Sequence, residues 1–409
     1  MRIALLFLAA LAAMPAAAQV LSLDEARRRA LEAQPALRAF ELNARAAEET
    51  AVADGSLPDP RLKLGALNFP TRNFPNARED MTQVGVSWEQ SFPGGDKRRL
   101  RSERTRAEAG QSRAEALGMQ QAISRDVGFS WIDAWLAAAN ERLAAELARE
   151  HERSIELARI AVASGRGSQA DVIGARQMLN QIVDRRLDLA AQARRARAAL
   201  ARWTPEASSR PLPEYLPEFA RPAPLATLVE SLESHPQHAM HVSALTVAEA
   251  DVALAREASK PDRSVELGYF NRYGGRSDMV MLQVAIELPL FADRKQDRLL
   301  AAKLALAERA REQRADHLRQ LRSEVQASYS DWELAEERLR NAVATTVPDA
   351  QARLDTVLAQ HGAGATPIGA VFDARKGLVD ARVQELVLRA AVAKSRIALE
   401  YFEHHGDHR

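Results

Sequence analysis

The chain contains no cysteine and few aromatic residues. None of its 409 residues is Cys, and Phe, Trp and Tyr together make up 5%. The lack of Cys excludes a disulfide framework and metal sites built on thiolates, and it also excludes lipidation at an amino-terminal Cys. Because aromatic side chains supply much of the apolar surface of a globular core, their scarcity argues against a fold built around one large core.

Neither charge sign dominates the sequence, and long hydrophobic runs are missing from most of it. Lys and Arg total 56 and Asp and Glu total 55, so we expect no nucleic-acid partner. Beyond the amino-terminal region no stretch reaches the roughly eighteen apolar residues that a membrane-spanning helix needs, which leaves β-strands as the elements to meet a membrane. Motifs of catalysis are also missing, so we expect neither enzyme activity nor a cofactor.

The amino terminus has the layout of a secretory signal peptide. Arg2 supplies a positive charge, residues 3–14 form an apolar run, and small residues follow. We predict that residues 1–18 are a signal peptide, removed by cleavage between Ala18 and Gln19.

An internal repeat with a period of roughly 200 residues organises the rest of the chain. We predict a first repeat at 19–203, a proline-rich connector at 204–225, a second repeat at 226–402 and a polar tail at 403–409. The matching segments are 31–35 and 232–236, 56–59 and 259–262, 64–65 and 267–268, 165–167 and 362–364, and 175–176 and 374–375, and the matching single residues include Val86 with Val284, Lys97 with Lys295, and Val127 with Val325.

The same series of periodicities occurs in both repeats. A helical region, interrupted at Pro35 in the first repeat, precedes two stretches of alternating apolar and polar residues, and a very long helical region, a glycine turn and a return helix follow. We also expect a kink at Pro348. The predicted elements are hairpins at 61–90 and 263–288, long helices at 96–164 and 292–361, and return helices at 169–203 and 368–402.

The two hairpins have the alternation typical of transmembrane barrel strands, although two ordinary half-buried hairpins are an alternative. Four strands cannot close around a lumen, and an open sheet edge in lipid leaves backbone groups unsatisfied. We therefore predict an obligate oligomer in which several chains share one barrel. Aromatic residues of the hairpin regions are expected at the membrane interface: Phe69, Phe74, Trp88, Tyr269, Phe270 and Tyr273.

The order and spacing of these motifs resemble the outer-membrane efflux protein (TolC-like) family over essentially the whole mature chain. Residues 165–176, 347–350 and 362–375 carry the resemblance. It implies a mainly α fold with a small β part, in which three chains form a twelve-stranded outer-membrane barrel continued by a periplasmic helical tunnel. The segment Gln90–Arg98 is similar to the heavy-metal-efflux branch.

The function implied by this resemblance is that of a passive exit duct for small toxic solutes, either drugs or metal ions. The implied partners are two further copies of the chain, outer-membrane lipid, a periplasmic adaptor and an inner-membrane pump, with the resistance–nodulation–division type favoured. A type I secretion duct is an alternative of the same class. A periplasmic coiled-coil structural protein is an alternative of another class.

The resemblance also implies functional residues at the two glycine turns. The gate candidates are Asp171, Thr366 and Asp373, and the family pattern has a basic residue in place of Thr366 and an acid in place of Ala370. Asp171 also fits an acid that stabilises a helix start through the helix dipole. Adaptor contacts are expected at Gly165, Arg166, Gly167, Ser168, Gly362, Ala363 and Gly364.

Histidines occur in two groups that suggest a metal site. His235, His238 and His241 are spaced by three, which rotates them progressively around a helix, and Pro236 marks a helix start, so packing or solvated roles are favoured. The second group lies in the polar tail, where a disordered segment is the favoured interpretation. We predict no metal site, with a metal-dependent hydrolase as the alternative. The tail group consists of His404, His405, Asp407 and His408.

Overall fold

A computed structural model describes residues 20–72, 79–165, 167–205 and 210–403. Several sequence predictions lie outside these described residues: the signal peptide, its cleavage between Ala18 and Gln19, Phe74, Arg166 and the tail histidines. Within the described part of the chain, no helix has the length and apolar character required to cross a membrane.

The described chain is mainly helical and contains one four-stranded antiparallel sheet. This confirms the predicted fold class, including the duplicated order of helix, hairpin, long helix and return helix. The first repeat contains α1 (Leu23–Ala33), α2 (Pro35–Gly55), β1 (Arg61–Leu67), β2 (Gln83–Phe92), α3 (Lys97–Ala163) and α4 (Gln169–Ala201). The second contains α5 (Leu225–Ser231), α6 (Pro236–Glu257), β3 (Arg263–Arg272), β4 (Met279–Ile286), α7 (Gln296–Asn341), α8 (Val347–Gly362) and α9 (Ile368–Glu400).

The long helices of the two repeats differ in continuity. α3 runs without a break, whereas α7 and α8 are joined by a π-helical turn at Ala342–Thr346, directly before Pro348. Proline has no N–H to donate and its ring crowds the preceding turn, so the helix widens where Pro348 enters it. The second long helix also starts at Gln296 rather than at 292, because the residues before it form turns.

The chain packs as two units. One contains the described residues 20–34, 121–165, 167–205, 210–228 and 324–403, and the other contains 35–72, 79–120 and 229–323. The first unit holds both glycine turns and the second holds the sheet, and the division crosses α3, α5 and α7 and separates α1 from α2.

Buried tryptophan anchors the packing of the first unit. The Trp131 side chain on α3 is fully buried, and its Nε1 donates a hydrogen bond to the carbonyl oxygen of Leu21 at 3.0 Å. The backbone N–H of Leu21 in turn donates to the carbonyl oxygen of Pro211 at 2.9 Å. These bonds satisfy backbone groups that would otherwise be buried without partners, and they fix the connector against α3.

In the second unit, the strands are hydrogen-bonded in the order β1-β2-β3-β4. Phe270 on β3 is buried because its ring lies over Gly85 and Gly268, where a Cβ would clash with it. The expectation that Phe270 joins an exposed aromatic girdle is therefore wrong: two glycines on neighbouring strands make room for its ring against the sheet. Trp88 and Tyr269 are exposed, at 44% and 51%.

Candidate functional site

One face of the sheet is apolar and exposed across all four strands. The pairing of the strands aligns its side chains into two rows, and every side chain in them is between 37% and 82% exposed. Soluble proteins rarely expose a continuous apolar surface of this kind. The first row is Leu62, Trp88, Leu267 and Leu282, and the second is Leu64, Val86, Tyr269 and Val280.

The opposite face of the sheet is polar. Lys63 on β1 lies between two carboxylates, with its Nζ 2.8 Å from both Glu89 and Glu266. The hydroxyl of Ser87 donates to Glu266 on the same face. A sheet with one apolar and one polar face is the arrangement of transmembrane barrel strands, which face lipid on one side and a lumen on the other.

The two outer strands of the sheet each have a neighbour on one side only. Within the described residues β1 pairs with β2 alone and β4 with β3 alone. A strand edge presents unpaired N–H and C=O groups, which pair readily with another strand. The sheet is therefore open at β1 and at β4.

A partly buried ion pair fixes the point where the sheet continues into α3. The Lys97 Nζ donates to Asp262 Oδ1 at 2.7 Å and to the carbonyl oxygen of Lys260 at 2.6 Å. The same Asp262 oxygen accepts from the Gly94 N–H at 2.7 Å. Burial raises the pKa of Asp262, but the bonds from Gly94 and Lys97 outweigh it and hold the pKa below its usual value. The sequence showed Lys97 as a repeat match and within the segment Gln90–Arg98, but its pairing with Asp262 was missed.

At the first glycine turn, Gly165 has φ +73°, a conformation that side chains with a Cβ rarely adopt. α4 then starts with a capping box: the Asp171 N–H donates to Ser168 Oγ at 3.2 Å, and the Ser168 N–H donates to Asp171 Oδ2 at 3.0 Å. The structure thus places Ser168 and Asp171 together and gives Asp171 a helix-capping role. Arg166 lies outside the described residues.

The second glycine turn is built differently. Gly364 has φ +73°, whereas Gly362 is the last residue of α8 and is helical. Thr366 donates to the Gln360 side chain at 3.2 Å, and its carbonyl oxygen accepts from His361 Nδ1 at 2.8 Å. α9 has no side-chain cap, and exposed Asp373 forms no hydrogen bond or ion pair with the described residues. Gly364 is thus the glycine that reverses the chain here.

An arginine connects the two helical hairpins of the first unit. The Arg375 Nη1 on α9 donates to Ser154 Oγ on α3 at 2.6 Å, and its Nε lies 3.9 Å from the Glu150 carboxylate. Apolar packing of Ile155, Ala175 and Phe372 lies beside it. The sequence pointed to Arg375 only as part of a repeated motif.

The histidines of α6 cap the helix or pack against other residues. His235 Nδ1 accepts from the Gln237 N–H at 3.2 Å and caps the helix. His238 is buried, and burial lowers its pKa. The His241 ring lies 4.2 Å from the His317 ring. In the part of the chain that the structure describes, no three His, Cys, Asp or Glu side chains are arranged to hold a metal ion.

Comparison with known proteins identifies the family. The family model described as "Outer membrane efflux protein" matches residues 26–204 and 227–401. The chain belongs to this family and is an outer-membrane efflux channel protein. No curated protein sequence matches the chain.

Solved structures share the fold over nearly the whole chain. VceC, an outer membrane protein of Vibrio cholerae, is 17% identical with a TM-score of 0.77, covering 93% of this chain and 95% of VceC. CusC is 18% identical with a TM-score of 0.79, covering 93% of this chain and 91% of CusC. The open state of the MtrE outer membrane channel of Neisseria gonorrhoeae is 18% identical with a TM-score of 0.71, covering 93% and 88%.

Proposed function

We propose that three copies of this chain close into one twelve-stranded barrel in the outer membrane, with their helices forming a periplasmic extension. This trimer is the passive exit duct of a tripartite efflux system for drugs or metal ions. An inner-membrane pump, of the resistance–nodulation–division type, drives transport through a periplasmic adaptor.

The observation that carries this proposal is the sheet with one apolar face, one polar face and two open edges. In lipid every backbone group of a strand needs a partner, so the edges at β1 and β4 must be covered. Four strands are too few to enclose a lumen, whereas twelve leave room for water and solutes. Pairing of β4 with β1 of the next subunit closes the ring without any further element.

The duplication of the chain gives the register of this closure. β2 corresponds to β4 through Val86 and Val284, and β1 corresponds to β3 through residues 64–65 and 267–268. Because Val86 pairs with Tyr269 inside the chain, the corresponding pair between subunits is Val284 with Ala66.

The same register brings opposite charges together. It places Glu287 opposite Lys63 of the next subunit, as Glu89 is opposite Glu266 within the chain. The side chain of Glu287 forms no hydrogen bond or ion pair with the described residues of its own chain. Opposite charges on facing strand positions favour that alignment.

Disulfide trapping tests the proposed closure, and the natural absence of Cys makes the chain suited to it. The double variant Val284→Cys with Ala66→Cys is oxidised in membranes and resolved by denaturing electrophoresis without reductant. Directly opposite residues lie about 5 Å apart between Cα atoms, within reach of a disulfide, so covalent dimers and trimers are expected.

The matched control combines Val284→Cys with Leu64→Cys. This pair lies on the same face but is displaced by two residues, at about 7–8 Å, and should link weakly. Native mass spectrometry of the detergent-extracted wild type should show a trimer. A monomer in that measurement contradicts the proposal, and equal linking of both pairs contradicts the register.

For the glycine turns we propose adaptor contact at Gly165, Gly167 and Ser168 in the first turn and at Gly362, Ala363 and Gly364 in the second, together with Arg166. The two turns are the places where the described long helices reverse, which makes them suitable docking points. Three copies of Asp171, with Thr366 and Asp373, would form the gate. Site-specific photo-crosslinking from Ser168 to the adaptor tests the docking, and its failure at both turns removes them from the interface.

A further inference from the structure

A cavity of about 380 Å³ lies between α3, α4 and α9, inside the first unit. Its volume is within the range of small-molecule sites, which are mostly apolar with a few convergent polar groups. Helices of both helical hairpins form its walls, so a bound molecule would contact both hairpins. The apolar part of the lining includes Leu143, Leu147, Met178, Ile182, Val379 and Val383.

His151 on α3 is a buried polar residue in the lining of this cavity. Its side chain is 2% exposed, and neither ring nitrogen has a hydrogen-bond partner among the described residues. The ring packs against Phe372, with 4.8 Å between the ring centroids. Burial, and then the charge of Arg375, lower the pKa of His151, so the imidazole is neutral at pH 7.

A second buried polar atom lies in the same lining. The Asn140 side-chain oxygen on α3 is buried and likewise has no partner among the described residues. Buried polar groups in folded proteins are nearly always hydrogen-bonded, and leaving them unpaired destabilises the fold. The two groups lie about 16 Å apart along α3, so a small molecule can bond to only one of them, and His151, with two unpartnered ring nitrogens, is the stronger candidate.

We propose that this cavity binds a small apolar molecule carrying a hydroxyl group, such as a phenol. A neutral imidazole offers one N–H donor and one nitrogen acceptor, and a hydroxyl can both accept from the first and donate to the second. The aliphatic walls select an apolar body. The charged groups that also line the cavity are engaged elsewhere or exposed: Arg375 bonds to Ser154, Lys376 pairs with Asp380 at 2.9 Å, and Arg185 is exposed.

The test compares two probes of similar size, 4-fluorophenol and fluorobenzene, which differ in the hydroxyl. Each is titrated into the detergent-extracted full-length protein and followed by ¹⁹F line broadening. The wild type should bind 4-fluorophenol about tenfold more tightly than fluorobenzene, because one buried hydrogen bond supplies a preference of that order. Anomalous scattering from 4-bromophenol in crystals then locates the probe.

Three variants assign the binding to the cavity. His151→Phe keeps an aromatic ring against Phe372 but removes both nitrogens, so fluorobenzene should still bind while the tenfold preference disappears. Leu147→Trp places a large side chain in the same lining one helical turn from His151 and should abolish binding of both probes. Glu152→Trp adds the same side chain at an exposed neighbouring position of α3 and should leave binding unchanged.

Several outcomes overturn the proposal. Equal affinities of the two probes for the wild type would show that His151 bonds to no ligand hydroxyl. Equal binding by wild type and Leu147→Trp would place the probes elsewhere, in detergent or at another surface. If His151→Phe does not fold, the comparison of Leu147→Trp with Glu152→Trp still shows whether the probes bind in this cavity.

Discussion

The two repeats differ most clearly where the sheet meets the long helices. Lys97 of the first repeat is bonded to Asp262 of the second. By the repeat correspondence their counterparts are Lys295 and Asp59, but both are exposed and neither side chain has a bond to the described residues. One member of a duplicated pair of contacts is formed within the chain and the other is not.

The arginines of the return helices show the same difference. Arg375 bonds to Ser154, whereas its counterpart Arg176 is exposed and forms no hydrogen bond or ion pair with the described residues. In a closed ring of duplicated chains, contacts between a first and a second repeat occur twice, once within a chain and once between chains. The contacts that are not formed within the chain are therefore expected between neighbouring subunits. For the ion pair, Lys295 is expected to bond to Asp59 of the next subunit.

The largest effect is expected from breaking the contact that the chain already makes. Lys97→Met leaves the partly buried Asp262 carboxylate without its cation, and we expect the free energy of unfolding to fall by about 2 kcal/mol. Urea unfolding in detergent, followed by tryptophan fluorescence, measures it. Lys295→Met is the matched comparison and should lower it by no more than about 1 kcal/mol, because the contact proposed for Lys295 across the subunit interface is partly exposed.

The same contact makes stability depend on pH. The folded-state pKa of Asp262 lies below its unfolded value, so its contribution is fully present above the unfolded pKa and is lost as the pH falls through the folded one. Stability should therefore decline on acidification below about pH 4 in the wild type. Asp262→Asn should flatten this part of the profile, and an unchanged profile would show that Asp262 does not carry the dependence.

A smaller effect is expected from the contact proposed between subunits. Lys295→Glu should lower the temperature at which the trimer dissociates, and adding Asp59→Lys should restore it, because the reversed pair attracts again. Each interface should lose about 1 kcal/mol, the size of a partly exposed ion pair. Heated samples on native gels measure dissociation. Failure of the double reversal to restore the trimer would exclude this pairing.

The two glycines of the second turn should differ by a comparable amount. Gly364→Ala forces a Cβ into a left-handed conformation and should destabilise the chain by about 1–2 kcal/mol. Gly362→Ala, in a helical position with open space around the added Cβ, should be neutral or stabilising by up to about 1 kcal/mol. Thermal unfolding of both variants measures the difference, and equal losses would contradict the assignment of Gly364 as the turn residue.

Local sequence signals predicted the order of helices and strands well, but they did not predict contacts between residues far apart in the sequence. Alternation marked the strands and proline marked the break before α2, because both act on adjacent residues. Lys97 and Asp262, or Arg375 and Ser154, lie far apart in sequence, and no periodicity connects them. Phe270 was misplaced for the same reason, since the space it fills is made by Gly85 and Gly268 on two strands. The sequence could not show which of Gly362 and Gly364 reverses the chain, because that depends on the backbone φ angle, which is positive at Gly364.

The smallest effect on stability is expected at Asp171, where the first turn has a capping box that the second lacks. Asp171→Asn removes the charge but keeps a side-chain oxygen that can accept from the Ser168 N–H, so stability should change by less than about 0.5 kcal/mol. Asp171→Ala removes the acceptor as well and should cost about 1 kcal/mol.

The same pair of variants separates the capping role of Asp171 from the proposed gate. Three carboxylates at a narrow pore concentrate cations there, so Asp171→Asn should reduce the cation preference even though the helix start remains intact. Reversal potentials in planar bilayers under a salt gradient measure this preference. If wild type and Asp171→Asn give the same reversal potential while Asp171→Ala destabilises the protein, Asp171 acts as a helix cap alone, and the difference between the two turns is one of local helix stability rather than of gating.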